Sequence, residues 1–230
     1  MVTSLLGSAD LTSPIPENTR RLADRVTLDT RTVETGSHRV FLLESLPPSG
    51  HFAKGVVLFL HGQAFSSATW KEGATMAVLS AAGYRCLAPD LPGGGRTEGP
   101  VVPAEERPSF ILALRDALGL KDVMVVAASM AAPYVLPLLG EPWMQGMLAI
   151  APSNTHQLGE SARARTPVLV VYGEKDTSLG PTSAANLAVL PISRSLRIPN
   201  AGHAVHLGNA HLFQAVAFNF FELIRSYTGT

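Results

Sequence analysis

The apolar positions of this chain follow two rhythms. Val56-Val57-Leu58-Phe59-Leu60, Val123-Met124-Val125-Val126, Met147-Leu148-Ala149-Ile150 and Val168-Leu169-Val170-Val171 are apolar at every position. A strand reads this way when helices cover both of its faces, whereas a strand with one wet face alternates. Cys86-Leu87-Ala88 and Ser195-Leu196-Arg197-Ile198 read as two further strands. Between the runs, apolar residues recur at helical spacing from about Ala68 to Ala82, Ala104 to Leu118, Thr182 to Leu190 and Ala210 to Tyr227, and after Ser129. Strand–helix alternation with short loops gives right-handed crossovers and a mostly parallel sheet. Ahead of it, strand patterns at Arg25 to Val33 and Arg39 to Leu43 flank Thr35-Gly36-Ser37, the signature of an antiparallel hairpin. The expected fold is a three-layer α/β sandwich opened by that hairpin. Only Ala151 to Pro167 lie between the run ending at Ile150 and the run beginning at Val168. That length holds one small helix and no lid domain.

A chain of 230 residues can hide roughly 70% of its surface in one core. A single domain is expected over 25–230, preceded by a polar, loosely held arm over 1–24. With 46% apolar and 16% charged residues the chain is too hydrophobic to be disordered. Lys+Arg and Asp+Glu number 18 each, with no basic run, which argues against nucleic acid or an anionic membrane as partner. The lone Cys86 can form neither an internal disulfide nor a thiolate zinc site. Met1 to Pro16 lack the basic and apolar regions of a signal peptide. Val123 to Gly140 is free of charge but carries Pro133 and Pro137, and reads as a strand running into a buried helix rather than a membrane span. The expectation is a soluble monomer, cytoplasmic, with the nucleus also open to it.

In open α/β sheets chemistry sits where strands end and helices begin. Ser129, in Ala127-Ala128-Ser129-Met130-Ala131, follows one such strand. A serine becomes a nucleophile when a sharp strand-to-helix turn exposes its hydroxyl beside a base, and the turn needs small residues two positions away on each side. Ala127 and Ala131 fill those places where glycine is usual. Taken alone, Ser129 is equally readable as a helix cap. Asp176, in Tyr172-Gly173-Glu174-Lys175-Asp176, could orient a histidine, or be an ordinary turn acid. His203, in Asn200-Ala201-Gly202-His203-Ala204, is a candidate general base with Gly202 easing a tight turn; alone it could equally be a satisfied histidine. Serine, then aspartate, then histidine, each just past a strand, is the order used by α/β hydrolases. Leu60-His61-Gly62-Gln63 follows the first parallel strand, so the backbone N–H of Gln63, with that of Met130, could form an oxyanion hole. His61 reads as a structural residue holding that loop. His38, His51, His156, His206 and His211 show no ligand spacing and no accompanying acid cluster, so no metal is expected. Pro92-Gly93-Gly94-Gly95 lacks the spacing of a nucleotide loop, and no cofactor is expected.

These stretches resemble the α/β-hydrolase superfamily, and within it the α/β-hydrolase domain-containing protein 14 family, which has A and B forms. The resemblance rests on Leu60 to Trp70, Ala82-Gly83-Tyr84-Arg85, Asp90-Leu91-Pro92-Gly93, Tyr134-Val135-Leu136-Pro137, Ile150-Ala151-Pro152, Thr166 to Gly173 and Asn200 to Ala204. It runs from about Arg25 onward, and its most specific segment is Phe65-Ser66-Ser67-Ala68-Thr69-Trp70. The resemblance implies Ser129, Asp176 and His203 as nucleophile, acid and base. It departs where family members carry serines flanking the nucleophile and this chain has Ala127 and Ala131. The stretch before Arg25 lacks the membrane anchor of the A form, making the soluble B form the nearer match. The activity expected is hydrolysis of short-chain carboxylic esters or related small acyl compounds. The alternatives are acyl transfer or deacetylation on an acylated amine, with a thiol such as coenzyme A as acceptor, or a binding protein that keeps the fold without turnover.

Overall fold

The computed structural model describes residues 6–48 and 52–228. Eight strands form one sheet: β1 (Asp29–Thr35), β2 (His38–Ser45), β3 (Val56–Leu60), β4 (Arg85–Pro89), β5 (Val123–Ala128), β6 (Met144–Ile150), β7 (Val168–Gly173) and β8 (Ser193–Ile198). Their spatial order is β1-β2-β4-β3-β5-β6-β7-β8. β1 and β2 pair antiparallel in the expected hairpin, turned at Gly36 with φ +55°, and β2 meets β4 antiparallel. From β4 to β8 every pairing is parallel. The continuous apolar runs are explained by where successive side chains go. Leu58, Leu60, Val123, Val125 and Ala127 enter one core cluster, and Val57, Phe59, Met124 and Val126 enter another. The first cluster lies under α4 (Arg107–Ala117), α5 (Ala132–Val135) and α6 (Leu179–Leu187). The second lies under α2 (Ala68–Glu72), α3 (Thr75–Ala81) and α8 (Ala210–Thr228).

Two expected helices are broken. The stretch from Ala68 to Ala82 divides into α2 and α3, with Ala74 left-handed between them at φ +52°. A Cβ at Gly73 would stand 3.1 Å from the His206 carbonyl, so the break lies where the short helix carrying His206 passes close by. The helix after Ser129 survives only as α5 between two 3-10 turns, Ser129–Ala131 and Leu136–Leu138. Pro133 and Pro137 supply no N–H to a continuous ladder and cut it into turns. Between β6 and β7 there is one short 3-10 helix, Gly159–Arg163, and no lid. No helix among the described residues is long and apolar enough to cross a membrane.

The arm expected to be loose is held from Leu6 onward. Leu6, Leu11 and Ile15 are buried, and α1 (Glu17–Ala23) packs against α3. Arg194 of β8 donates to the carbonyls of Leu6 (3.0 Å) and Ala9 (2.7 Å), and Asn219 of α8 donates to that of Ser13 at 2.8 Å. Three well-spaced apolar residues among polar ones show no helical or strand period. Their docking is therefore decided by the distant surface they meet. Residues 1–5 of that arm lie outside the described residues.

Candidate active site

β3 and β5 are neighbours, yet the chain leaves β3 for β4 on one side and returns to β5 on the other. A crevice opens at such a reversal. The loops after β3, β5 and β8 meet there around a cavity of about 210 Å³ lined by Gly62, Gln63, Ala64, Phe65, Ala128, Ser129, Ile150, His203, Ala204 and His206. A larger, more open hollow of about 490 Å³ lies near Gly119 to Asp122 and Trp143, at the opposite ends of β5 and β6. That hollow holds none of the residues singled out from the sequence.

Ser129 sits at φ +48°, a left-handed conformation that costs a residue with a Cβ about 1–3 kcal/mol. Ala127 and Ala131, two positions away on each side, are fully buried in the first core cluster. Gly62 faces this turn at an ordinary contact distance: a Cβ there would lie 3.7 Å from that of Ser129. Ser129 is part-exposed and lines the cavity.

Asp176 reaches His203 through a contact of 2.6 Å between its Oδ2 and Nδ1. The two loops are brought together at Gly173. A Cβ there would stand 2.1 Å from the Gly202 carbonyl oxygen, so only glycine permits the approach. The N–H groups of Glu174 and Lys175 then donate to the carbonyls of Ile198 and Ala201, each at 2.9 Å. Gly202 plays a smaller part than expected, since a Cβ there meets nothing within 4 Å and its φ is not positive. The Asp176 side chain is 4% exposed. Burial pushes its pKa up, but hydrogen bonds from His203 and from the backbone N–H groups of Gly180 and Ser178 outweigh this and hold it below the usual value. An ionised carboxylate only accepts, so Nδ1 of His203 is the donor and Nε2 of the neutral ring is bare. Among the described residues no hydrogen bond joins Ser129 Oγ to His203, a contact that commonly tightens only with substrate present.

His61 has both ring nitrogens occupied. Nε2 accepts from the Leu91 N–H at 2.8 Å, so Nδ1 carries the proton and donates to the Gly62 carbonyl at 2.9 Å. Burial lowers its pKa, in keeping with a neutral structural ring. Phe65 N–H donates to the same carbonyl at 3.1 Å. A trans peptide holds C=O and N–H on opposite sides, so anchoring the Gly62 oxygen turns the Gln63 N–H the other way. Met130 is not among the residues lining the cavity; its side chain packs on the first core cluster. Its N–H belongs to the first turn after β5, where helical N–H groups have no intrahelical partner.

His206, which the sequence marks only as lacking metal-ligand spacing, lines the cavity. Its Nε2 meets Thr69 Oγ1 at 2.9 Å, and its ring lies 4.7 Å from that of Trp70. Burial, with His203 nearby, drives its pKa down to about 4. It stands on α7 (Val205–Gly208), which begins two residues after His203.

The sheet order, the reversal beside β3 and the loop set define an α/β hydrolase. A family model described as alpha/beta hydrolase fold matches residues 55–151. Among solved structures, a predicted CIB-like hydrolase from Thermoplasma acidophilum superposes with a TM-score of 0.76 at 23% identity, over 87% of this chain and 99% of that one. ABHD14B of Rattus norvegicus, whose name proposes protein-lysine deacylase activity for that protein, is 38% identical over 190 residues, covering 79% of this chain and 90% of its own. ABHD14A of Mus musculus is 34% identical over 219 residues, covering 90% and 86%. The chain belongs to the ABHD14 family of α/β hydrolases.

Proposed function

We propose that this protein is a serine hydrolase that cleaves short-chain carboxylic esters or related small acyl compounds through an acyl-serine intermediate. The observation that carries it is the left-handed Ser129 on the same cavity as His203, whose Nδ1 stands 2.6 Å from Asp176. Nε2 of His203 takes the hydroxyl proton as Oγ attacks the acyl carbon. The N–H groups of Gln63 and Met130 hold the oxyanion. His203 then gives its proton to the leaving group, and water, activated by the same nitrogen, releases the acid. No cofactor enters this scheme.

A cavity of about 210 Å³ is below the roughly 300–1,000 Å³ of drug-sized sites and fits a short acyl group. With one 3-10 helix between β6 and β7, little apolar wall stands above it to bury a long chain. A buried methylene is worth about 0.8 kcal/mol, so a tunnel would favour long acyl chains steeply. The second reading, deacylation of an acylated amine, is supported by the name of ABHD14B and uses the same residues with an amine as leaving group.

The test is hydrolysis of p-nitrophenyl esters from two to sixteen carbons, with fluorophosphonate labelling beside it. The parent should show its highest kcat/KM at two to four carbons, and Ser129→Ala should lose both turnover and label. Turnover by Ser129→Ala at the parent rate would overturn the assignment, leaving a binding protein on a hydrolase fold.

A further inference from the structure

We infer that Ser153, in the loop after β6, is a positioning residue for the oxyanion hole: it grips the Ser129 carbonyl and so aims the Met130 N–H at the reacting oxygen. Both the backbone N–H and the Oγ–H of Ser153 donate to the Ser129 oxygen, each at 3.1 Å, and the Ala132 N–H donates to it as well. That oxygen and the Met130 N–H belong to one peptide unit, and the described residues contain no cis peptide bond. Planarity then fixes the N–H opposite the anchored oxygen. Donors on a carbonyl also polarise the amide and strengthen its N–H as a donor. The Gly62 oxygen, gripped by His61 and Phe65, is held in the same way on the other side of the cavity.

The loop that delivers Ser153 is itself held in place. Ala151 and Asn154, on either side, are left-handed at φ +38° and +55°. Such conformations persist where the surroundings over-determine them. Ala151 N–H is tied to the Val171 carbonyl at 3.0 Å, which fixes the loop to the end of β7. Ser153 itself is part-exposed and not among the residues lining the cavity, so its influence passes through the peptide and not through contact with substrate.

The inference rests on the serine-hydrolase reading, and the experiment separates the two. Ser153→Ala keeps the backbone donor and removes the hydroxyl. On p-nitrophenyl acetate its kcat should fall about tenfold, short of the 10²–10³ lost when an oxyanion donor is removed outright, with KM little changed. The decisive readout is the ratio of rates on p-nitrophenyl acetate and its thiono analogue, whose sulfur is a poor hydrogen-bond acceptor. Loosening the donor should slow the oxygen ester more than the sulfur one, so the ratio should shrink, and Ser153→Thr should restore it. A parental kcat in Ser153→Ala, or an equal fall on both esters, overturns the inference. If Ser153→Ala does not fold, Ser153→Cys keeps the volume with a weak donor and is read by the same ratio. Turnover by Ser129→Ala at the parent rate would instead bring down the underlying reading.

Discussion

Asp176 and Glu174 stand two positions apart on one loop, yet only Asp176 touches His203. Glu174 accepts from the Asn200 N–H at 3.0 Å and faces Arg197 at 3.6 Å on the surface. Asp176→Asn keeps the shape but can present an NH₂ to Nδ1, which favours the tautomer with its proton on the wrong nitrogen. Turnover should fall about 10⁴-fold, as in the serine proteases where that change is known, while Glu174→Gln should leave kcat near the parent value. Steady-state kcat on p-nitrophenyl acetate decides it, and a larger loss in Glu174→Gln would mean the acid is misassigned. Ser129, Asp176 and His203 were legible as candidates because each is a polar residue placed just past an apolar run. Ser153 and His206 were not, because their interest comes from what they touch: a carbonyl 24 residues earlier in the chain, and Thr69 137 residues away.

Strands were more legible than helices, for a physical reason. An unbroken apolar run has few ways to be satisfied other than burial on both faces, so β3, β5, β6 and β7 followed from composition alone. A helix needs continuity, and a neighbouring element or a proline interrupts it, as at Gly73 and after Ser129. The junction between β7 and the loop after β8 belongs to the same level, since Gly173 there has no space for a side chain. Gly173→Ala should push the Asp176 and His203 loops apart, at a cost of about 1–3 kcal/mol in stability. Turnover should fall by up to about 10², the penalty for misplacing reactive groups by an ångström. Gly202→Ala, with open space around its Cβ, is the control and should be tolerated. Urea midpoints and kcat for the two variants check this, and equal behaviour would remove Gly173 as the site's spacer.

Stability of the whole molecule should depend on pH through a buried ring. His206 takes a proton near pH 6.5 in the unfolded chain and only at about 4 in the folded one. Above pH 6.5 both states are neutral and the ring contributes nothing to the balance. As pH falls towards 4 only the unfolded state binds the proton, so stability is lost, by roughly 3 kcal/mol in all. His61, also depressed by burial, acts in the same sense. Asp176 works in a lower window: its stabilisation is present above the ordinary carboxylate range and is lost as pH falls through its lowered value. Urea unfolding at pH 7, 5.5 and 4.5 should show the decline, shallower in His206→Gln; an identical slope in that variant would refute the ring's part.

The clasp between residues 6–15 and the elements β8 and α8 bears on how the chain is made. Leu6, Leu11 and Ile15 leave the ribosome early, but the Arg194 and Asn219 side chains that hold their backbone do not yet exist. At about 5–20 residues per second, synthesis takes on the order of 10–40 s to reach them. Over that interval these side chains lack the part of their seat that β8 and α8 supply, and the first strands of the sheet must assemble before that clasp can close.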